Sequence, residues 1–255
     1  MGTTAIAIAD AQRLEEYALN ASGASQALVY DGWLLGACRG PSKRLRCVNP
    51  VYASTLPLAT KVAYCDAFYR QAGLPPLFRM LAFQPPELDA WLERAGWMHY
   101  EPTVVMHADL ASVPSLPLPP FAAEFVDMPQ WVDDSAALHD HEGDVLAQAR
   151  ERAVRYPLPQ AGAVIRDEGS VVATGVVKVE NGVAGLFAIA TEPRRRGRGY
   201  GRLIVATLLA EARRRGATSA YLQVAASNAP AIRLYTNFGF ALAYDYWYRR
   251  LPGSS

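Results

Sequence analysis

Hydrophobic and polar positions change period several times along this chain, and each change marks an element. Ala163-Val164-Ile165-Arg166 and Ser170 to Val179 are rich in β-branched residues and flank the turn formers Asp167-Glu168-Gly169, which predicts two strands and a tight turn. Glu180-Asn181-Gly182 is a second turn and Val183 to Ala190 a third strand, so the stretch reads as an antiparallel hairpin meander. The period then lengthens: Leu203, Ile204, Leu208, Leu209 and Ala212 recur at helical spacing, and Gly216 stops that helix after an Arg-rich last turn. Tyr221-Leu222-Gln223-Val224 reads as a strand, Pro230 to Asn237 as a helix ending near Gly239, and Leu242 to Arg249 as a last strand. On that strand Tyr244, Tyr246 and Tyr248 share one face, and Asp245 and Trp247 the other.

The first half repeats part of this pattern. Leu88 to Ala95 is closed by Gly96-Trp97 as Ala231 to Phe238 is closed by Gly239-Phe240, 143 residues later, and Gly73 precedes Gly216 by the same interval. Both Gly73 and Gly216 end an amphipathic helix and precede a short apolar strand, Leu77 to Leu81 and Tyr221 to Val224. Two glycines at one spacing point to a tandem duplication, with chance coincidence as the competing reading. Between the halves, the prolines of Asp109 to Pro120 forbid helix and leave an extended connector. The expected division is 1–110, a linker at 111–120, and 121–255. The expected fold class is mixed α/β, each half a mostly antiparallel sheet flanked by helices.

Composition narrows the function. At 255 residues, about half of them apolar, the chain suits two ordinary domains or one large one. A net charge of +1 gives no global reason to bind nucleic acid or an anionic membrane. Met1 to Ala7 has no positive region ahead of its short apolar stretch, so the expectation is a cytoplasmic protein without a membrane span. Cys38, Cys47 and Cys65 lack the paired spacing of a zinc site and read as reduced structural thiols, with no metal expected.

The chemistry concentrates in Arg194-Arg195-Arg196-Gly197-Arg198-Gly199-Tyr200-Gly201-Arg202, between a strand and a helix. Glycines there let backbone N–H groups approach an anion at the helix N-terminus, while Arg196, Arg198 and Arg202 supply charge. Taken alone, the stretch is equally a solvated basic turn. A nucleotide triphosphatase loop is disfavoured because Gly201 is followed by Arg202-Leu203 and not by Lys-Ser/Thr. A dinucleotide-binding fold is disfavoured by the hairpin meander upstream.

The segment Arg196-Gly197-Arg198-Gly199-Tyr200-Gly201 resembles the hallmark of the GNAT acetyltransferase superfamily, Gln/Arg-x-x-Gly-x-Gly/Ala. The resemblance extends back through Ile189-Ala190-Thr191-Glu192-Pro193 and forward through Asn228-Ala229-Pro230 to Gly239-Phe240, covering roughly Phe121 to Arg250. It implies acetyl-coenzyme A as acyl donor, with the amides of Arg198 to Gly201 around its pyrophosphate, the backbone of Ile189, Ala190 and Thr191 along its pantetheine arm, and Asn228 bonded to it. It also implies a slot between strands Val183 to Thr191 and Tyr221 to Ala225, with a bulge near Phe187 to Ile189 that frees an N–H for the thioester carbonyl. Tyr235 resembles the family's general acid, which has a chemical reason: a thiol of pKa ~8.5 leaves more readily with a phenol beside it.

The attacking amine must also lose a proton, and no carboxylate lies on Val183 to Ala190. Glu180, Glu192 and the cluster His139, Asp140, His141, Glu142, expected on an early helix, are the nearby titratable groups. Tyr246 is the candidate substrate-wall residue. At the 143-residue interval the first half has Leu56 and Leu58 for Gly199 and Gly201, Pro85 for Asn228 and Leu92 for Tyr235, so it resembles a degenerate repeat that shapes the acceptor pocket. The function expected is N-acetylation of a small-molecule amine by direct attack in a ternary complex. A protein lysine or N-terminus is the next acceptor class, and a silent acyl-coenzyme A binding module or an RNA-binding protein are the readings of other classes. The general base, acyl-chain preference and oligomeric state are not legible.

Overall fold

A computed structural model describes residues 5–23, 26–38, 42–139 and 141–253. The chain divides into two compact units, Met1–Val105 with Val224–Asn228 and Leu242–Ser255, and Met106–Gln223 with Ala229–Ala241.

The first unit opens with α1 (Ile8–Ser22), which buries Ala11, Leu14, Ala18 and Ala21 at helical spacing. β1 (Ala27–Tyr30) and β2 (Trp33–Gly36) form an antiparallel hairpin over Asp31-Gly32. β3 (Val48–Pro50) pairs antiparallel with β2. After α2 (Leu58–Ala72), β4 (Leu77–Leu81) lies parallel to β3. α3 (Glu87–Arg94) then leads to β5 (Met98–Asp109), of which the part up to Val105 belongs here. The core gathers Trp33, Leu35, Val48, Tyr69, Phe78, Leu92 and Trp97. Cys38, Cys47 and Cys65 are buried free thiols, and burial pushes Cys47 and Cys65 up to about 12.

The second unit contains β6 (Glu124–Val126), α4 (Met128–Ala136), α5 (Gly143–Arg155), β7 (Gln160–Asp167), β8 (Ser170–Glu180) and β9 (Val183–Thr191). α6 (Tyr200–Arg214), β10 (Ser219–Ala225, up to Gln223) and α7 (Ala229–Asn237) complete it. Its strands run in the order β10-β9-β8-β7-β6, antiparallel except for β9 and β10, which are parallel. The meander turns are as the sequence predicts, with Glu168, Gly169, Asn181 and Gly182 all at positive φ. α6 presses closely on β8: a Cβ on Gly175 would stand 2.6 Å from Ile204 Cγ2 and 2.8 Å from Leu208 Cδ1, so only glycine lets that helix approach.

Three expectations change. The last strand, β11 (Ala241–Arg250), packs from Leu242 onward with the first unit, paired antiparallel with β4 and placed between β4 and β5. His139 and His141 lie between α4 and α5, with Glu142 as the N-cap of α5, because α4 already ends at Ala136; Asp140 lies outside the described residues. The connector is not wholly extended: Leu110–Ser112 closes a 3-10 turn, capped by the Asp109 side chain, which accepts from Ala111 N–H. The prolines begin only after that turn, at Pro114, and Val113 to Pro119 have no regular structure.

Candidate active site

The site is assembled on β9, the loop after it and α6. Between Thr174↔Ala190 and Val176↔Phe187 the β8–β9 register shifts, so that Ala188 and Ile189 oppose the single residue Gly175. This is a bulge, and it turns Ala188 to φ 49°. Pairing of β9 with β10 extends from Val183↔Ser219 to Leu186↔Leu222, and among the described residues it ends there. From Phe187 onward β9 therefore has backbone groups on that side that no β10 partner takes. Ile189, Ala190 and Thr191, expected along the pantetheine arm, are half-buried on this open stretch.

After β9 the chain makes a 3-10 turn at Pro193–Arg195. Arg195 is engaged elsewhere: its guanidinium donates to Asp167 at 2.7 Å and Glu168 at 2.9 Å, both from the β7–β8 turn. Asp167 also accepts from the Tyr200 hydroxyl at 2.7 Å, which pushes that phenol's pKa up. Tyr200 is thus buried and tethered, and what it offers to an anion is its backbone N–H. Arg196, Gly197 and Arg198 are exposed.

Gly199 caps α6 in the left-handed region, φ 87°, and its carbonyl accepts the first helical bond from Leu203 at 3.0 Å. The N–H groups of the first turn have no partner further up the helix, and the fifteen-residue α6 directs the positive end of its dipole at the same place. A Cβ on Gly199 would stand 3.2 Å from Pro119 and 3.4 Å from Arg202 Nη2. The Arg202 guanidinium thus lies over the loop, and its Nε is buried with no hydrogen-bond partner among the described residues. An unpaired buried guanidinium N–H beside a cradle that a side chain would fill is what a bound phosphate would satisfy, so these residues fit the pyrophosphate of a coenzyme.

α7 packs on the start of α6, where Leu234 Cδ2 would lie 3.5 Å from a Cβ on Gly201. The next residue, Tyr235, is buried, stands edge-on to Phe240 at 6.2 Å, and is pushed up to about 12 by burial. Asn228 is exposed just ahead of α7; its N–H bonds to Ala225 O at 2.9 Å, and it belongs with the first unit. Tyr246 is also in the first unit, buried, with the Arg79 guanidinium 3.8 Å over its ring. It lines a cleft of about 630 Å³ with Gln84, Asp89, His99, Asp245 and Trp247.

One member of the titratable cluster named from the sequence is brought to the bulge. His139, on the turn after α4, has Nε2 3.2 Å from the carbonyl oxygen of Ala188, the bulge residue. The buried Thr174 Oγ1 donates to the same oxygen at 3.3 Å and stands 3.4 Å from that Nε2. Nothing local signals this, since 49 residues separate His139 from Ala188. Glu192 stands 3.9 Å from Arg195, and no group of three or more His, Cys, Asp or Glu is clustered for a metal among the described residues. Nor is any helix among them long and apolar enough to cross a membrane.

Comparison with known proteins agrees with this geometry. Residues 125–240 match the acetyltransferase (GNAT) family model. An uncharacterised N-acetyltransferase of Bacillus subtilis, YobR, is 28% identical over 222 residues, spanning 85% of this chain and 89% of that protein. The ribosomal protein bS18-alanine N-acetyltransferase of Escherichia coli is 36% identical over 90 residues, 35% of this chain and 56% of that one. Among solved structures, a GCN5-related N-acetyltransferase from Kribbella flavida superposes with a TM-score of 0.71 over 98% of this chain and 97% of its own, at 16% identity. Residues 125–240 thus match the GNAT acetyltransferase family, and the fold is that of GNAT-related structures. The chain is an acyltransferase.

Proposed function

We propose that the second unit binds acetyl-coenzyme A and that the enzyme transfers the acetyl group to the amine of a small molecule, by direct attack within a ternary complex. The observation that carries this reading is the anion cradle at the N-terminus of α6: Gly199 at φ 87° under the Arg202 guanidinium, whose buried Nε lacks a partner. The coenzyme supplies an activated acetyl group as a thioester. Amides from Arg198 to Gly201 hold its pyrophosphate, with Arg196, Arg198 and Arg202 contributing charge. The backbone of Ile189, Ala190 and Thr191 pairs with the pantetheine arm, and the bulge N–H polarises the thioester carbonyl. Tyr235 hydrogen-bonds the departing sulfur.

The first half is, on this reading, a duplicated copy that lost the cradle. Gly73 N–H bonds to Arg70 O and Leu74 N–H to Tyr69 O, and Gly216 and Ala217 repeat the pattern onto Arg213 and Ala212. Gly96 and Trp97 onto Glu93 and Leu92 match Gly239 and Phe240 onto Thr236 and Tyr235. A protein N-terminus is the second acceptor class, because the Escherichia coli relative is named for an alanine of a ribosomal protein.

Calorimetric titration with acetyl-coenzyme A tests the reading. Micromolar binding is expected and should be abolished in Gly199→Val, which places a β-branched side chain at positive φ against Pro119 and Arg202. A screen of small amines and short peptides, read by thiol release, then assigns the acceptor. Absence of binding by the unaltered protein would sink the proposal.

A further inference from the structure

The first unit holds, wholly within its own residues, a cleft of about 630 Å³, a size suited to a small molecule. Part of its lining is apolar and rigid: Pro85 and Pro86 ahead of α3 and Pro102 on β5 have fixed φ and no N–H to offer. Another part is acidic, with Asp89 and Glu93 one turn apart on α3 and Asp245 on β11, set against the single guanidinium of Arg249. The side-chain donors of Gln84, Trp247 and Arg249 are already engaged. The Trp247 indole N–H and Arg249 Nε both donate to Asp89 Oδ1, at 2.8 and 2.7 Å, and Arg249 Nη2 donates to Asp89 Oδ2 at 2.9 Å. Arg249 Nη1 donates to Trp97 O at 3.2 Å, and the Gln84 amide to Pro50 O. Glu93 stands 3.6 Å from Arg249 Nη2, a looser pair on a side chain that is 69% exposed.

Burial raises the pKa of the Asp89 carboxyl, but the hydrogen bonds from Arg249 and Trp247 outweigh it and hold the group below the ordinary carboxylate range, so Asp89 stays ionised. Three carboxylates then share the lining with one guanidinium. A cleft with surplus negative charge and spent donors attracts a cation that brings its own N–H groups, while an anion would meet like charge. No group of three or more His, Cys, Asp or Glu is placed to hold a metal among the described residues, which favours an organic cation over a metal ion. The bonds to Asp89 also fix the plane of the Trp247 indole, against which the exposed His99 ring stacks at 5.6 Å and 18°, leaving a flat surface for the body of a ligand. We propose that this cleft binds a small primary ammonium ion on an apolar body, with the ammonium toward Asp89, Glu93 and Asp245 and the body along the prolines and His99. The site is built from the first unit alone and does not rest on the acetyl-transfer reading.

Calorimetry on the full chain without coenzyme tests this, with 2-phenylethylammonium and butylammonium as probes and 2-phenylethanol and 3-phenylpropanoate as controls. The expected result is saturable binding of the ammonium ions, roughly tenfold or more tighter than either control and weakening as salt rises. Glu93→Gln should weaken it by about 2- to 5-fold and Glu93→Lys by about tenfold or more. Glu93 is exposed near the end of α3, so both variants are expected to keep the parental urea midpoint. The Trp247 indole N–H, identified by NMR from its loss in Trp247→Phe, should shift as the unaltered protein is titrated, which places the ligand in this cleft. Absence of saturable ammonium binding overturns the proposal, as does equal binding of the alcohol or the carboxylate, or unchanged affinity in Glu93→Lys. Acetyl-coenzyme A is titrated separately, so failure of either reading leaves the other standing.

Discussion

Burial limits what Tyr235 can do in the acid role proposed for it. Its pKa is pushed up to about 12, well above a thiol's ordinary ~8.5, so full transfer of its proton to a leaving thiolate runs uphill. In the acetyl transfer proposed above, its contribution would be a hydrogen bond that strengthens as negative charge develops on sulfur, an interaction made mainly in the transition state. Tyr235→Phe is therefore expected to lower the turnover number by roughly 10- to 100-fold while leaving the coenzyme dissociation constant within about twofold, measured by steady-state kinetics beside calorimetry. Equal losses in both quantities would instead make Tyr235 a packing residue. The position of this tyrosine was legible from the run Asn228 to Phe240; its perturbed pKa was not, because burial belongs to the tertiary structure.

At the scale of elements, what could be read from the sequence was what is local. Glu168-Gly169 and Asn181-Gly182 announced the β7–β8 and β8–β9 turns because only certain residues tolerate positive φ twice in succession. Gly216 announced the end of α6 for a related reason. The link from His139 to the bulge was illegible, since it joins two elements far apart in the chain.

The C-terminal end of α6 supplies a stability test. Glu211, 7% exposed, accepts from Arg214 at 2.6 and 2.7 Å and from Arg215 at 2.6 Å, and its carboxyl is held down at about 2, chiefly by the Arg214 hydrogen bond. A depressed carboxyl stabilises the folded state fully above its ordinary 4.5, and that stabilisation drains away as pH falls toward about 2. Glu211→Gln should thus unfold at lower urea than the parent at neutral pH, with the two midpoints converging across that acid window. A gap independent of pH would mean that side-chain shape, not charge, is what matters there.

For the whole molecule, the boundary drawn from sequence and the division of the folded chain differ, and the difference has consequences. The prolines after Val113 mark a connector, yet β11, which starts 128 residues beyond Val113, supplies the strand beside β4, with five residue pairs from Tyr246↔Leu81 to Arg250↔Leu77. Hydrophobic alternation could place β11 as a strand but not say which strand it joins, because pairing partners leave no local trace. Its side chains are structural in the first unit. Tyr244 donates to Glu15 at 2.8 Å, Tyr246 lies under the Arg79 guanidinium, and Arg79 forms a buried ion pair with Glu15. Trp247 and Arg249 donate to Asp89 at 2.8 and 2.7 Å. A fragment of residues 1–112 would leave the Glu15–Arg79 pair without its aromatic cover and β4 with an open edge, losses that are large against the ~5–15 kcal/mol by which ordinary domains are stable. It is expected to show no cooperative urea transition alone and to gain one when co-expressed with residues 113–255. A cooperative transition of the fragment by itself would mean that β11 is an addition to a unit already complete.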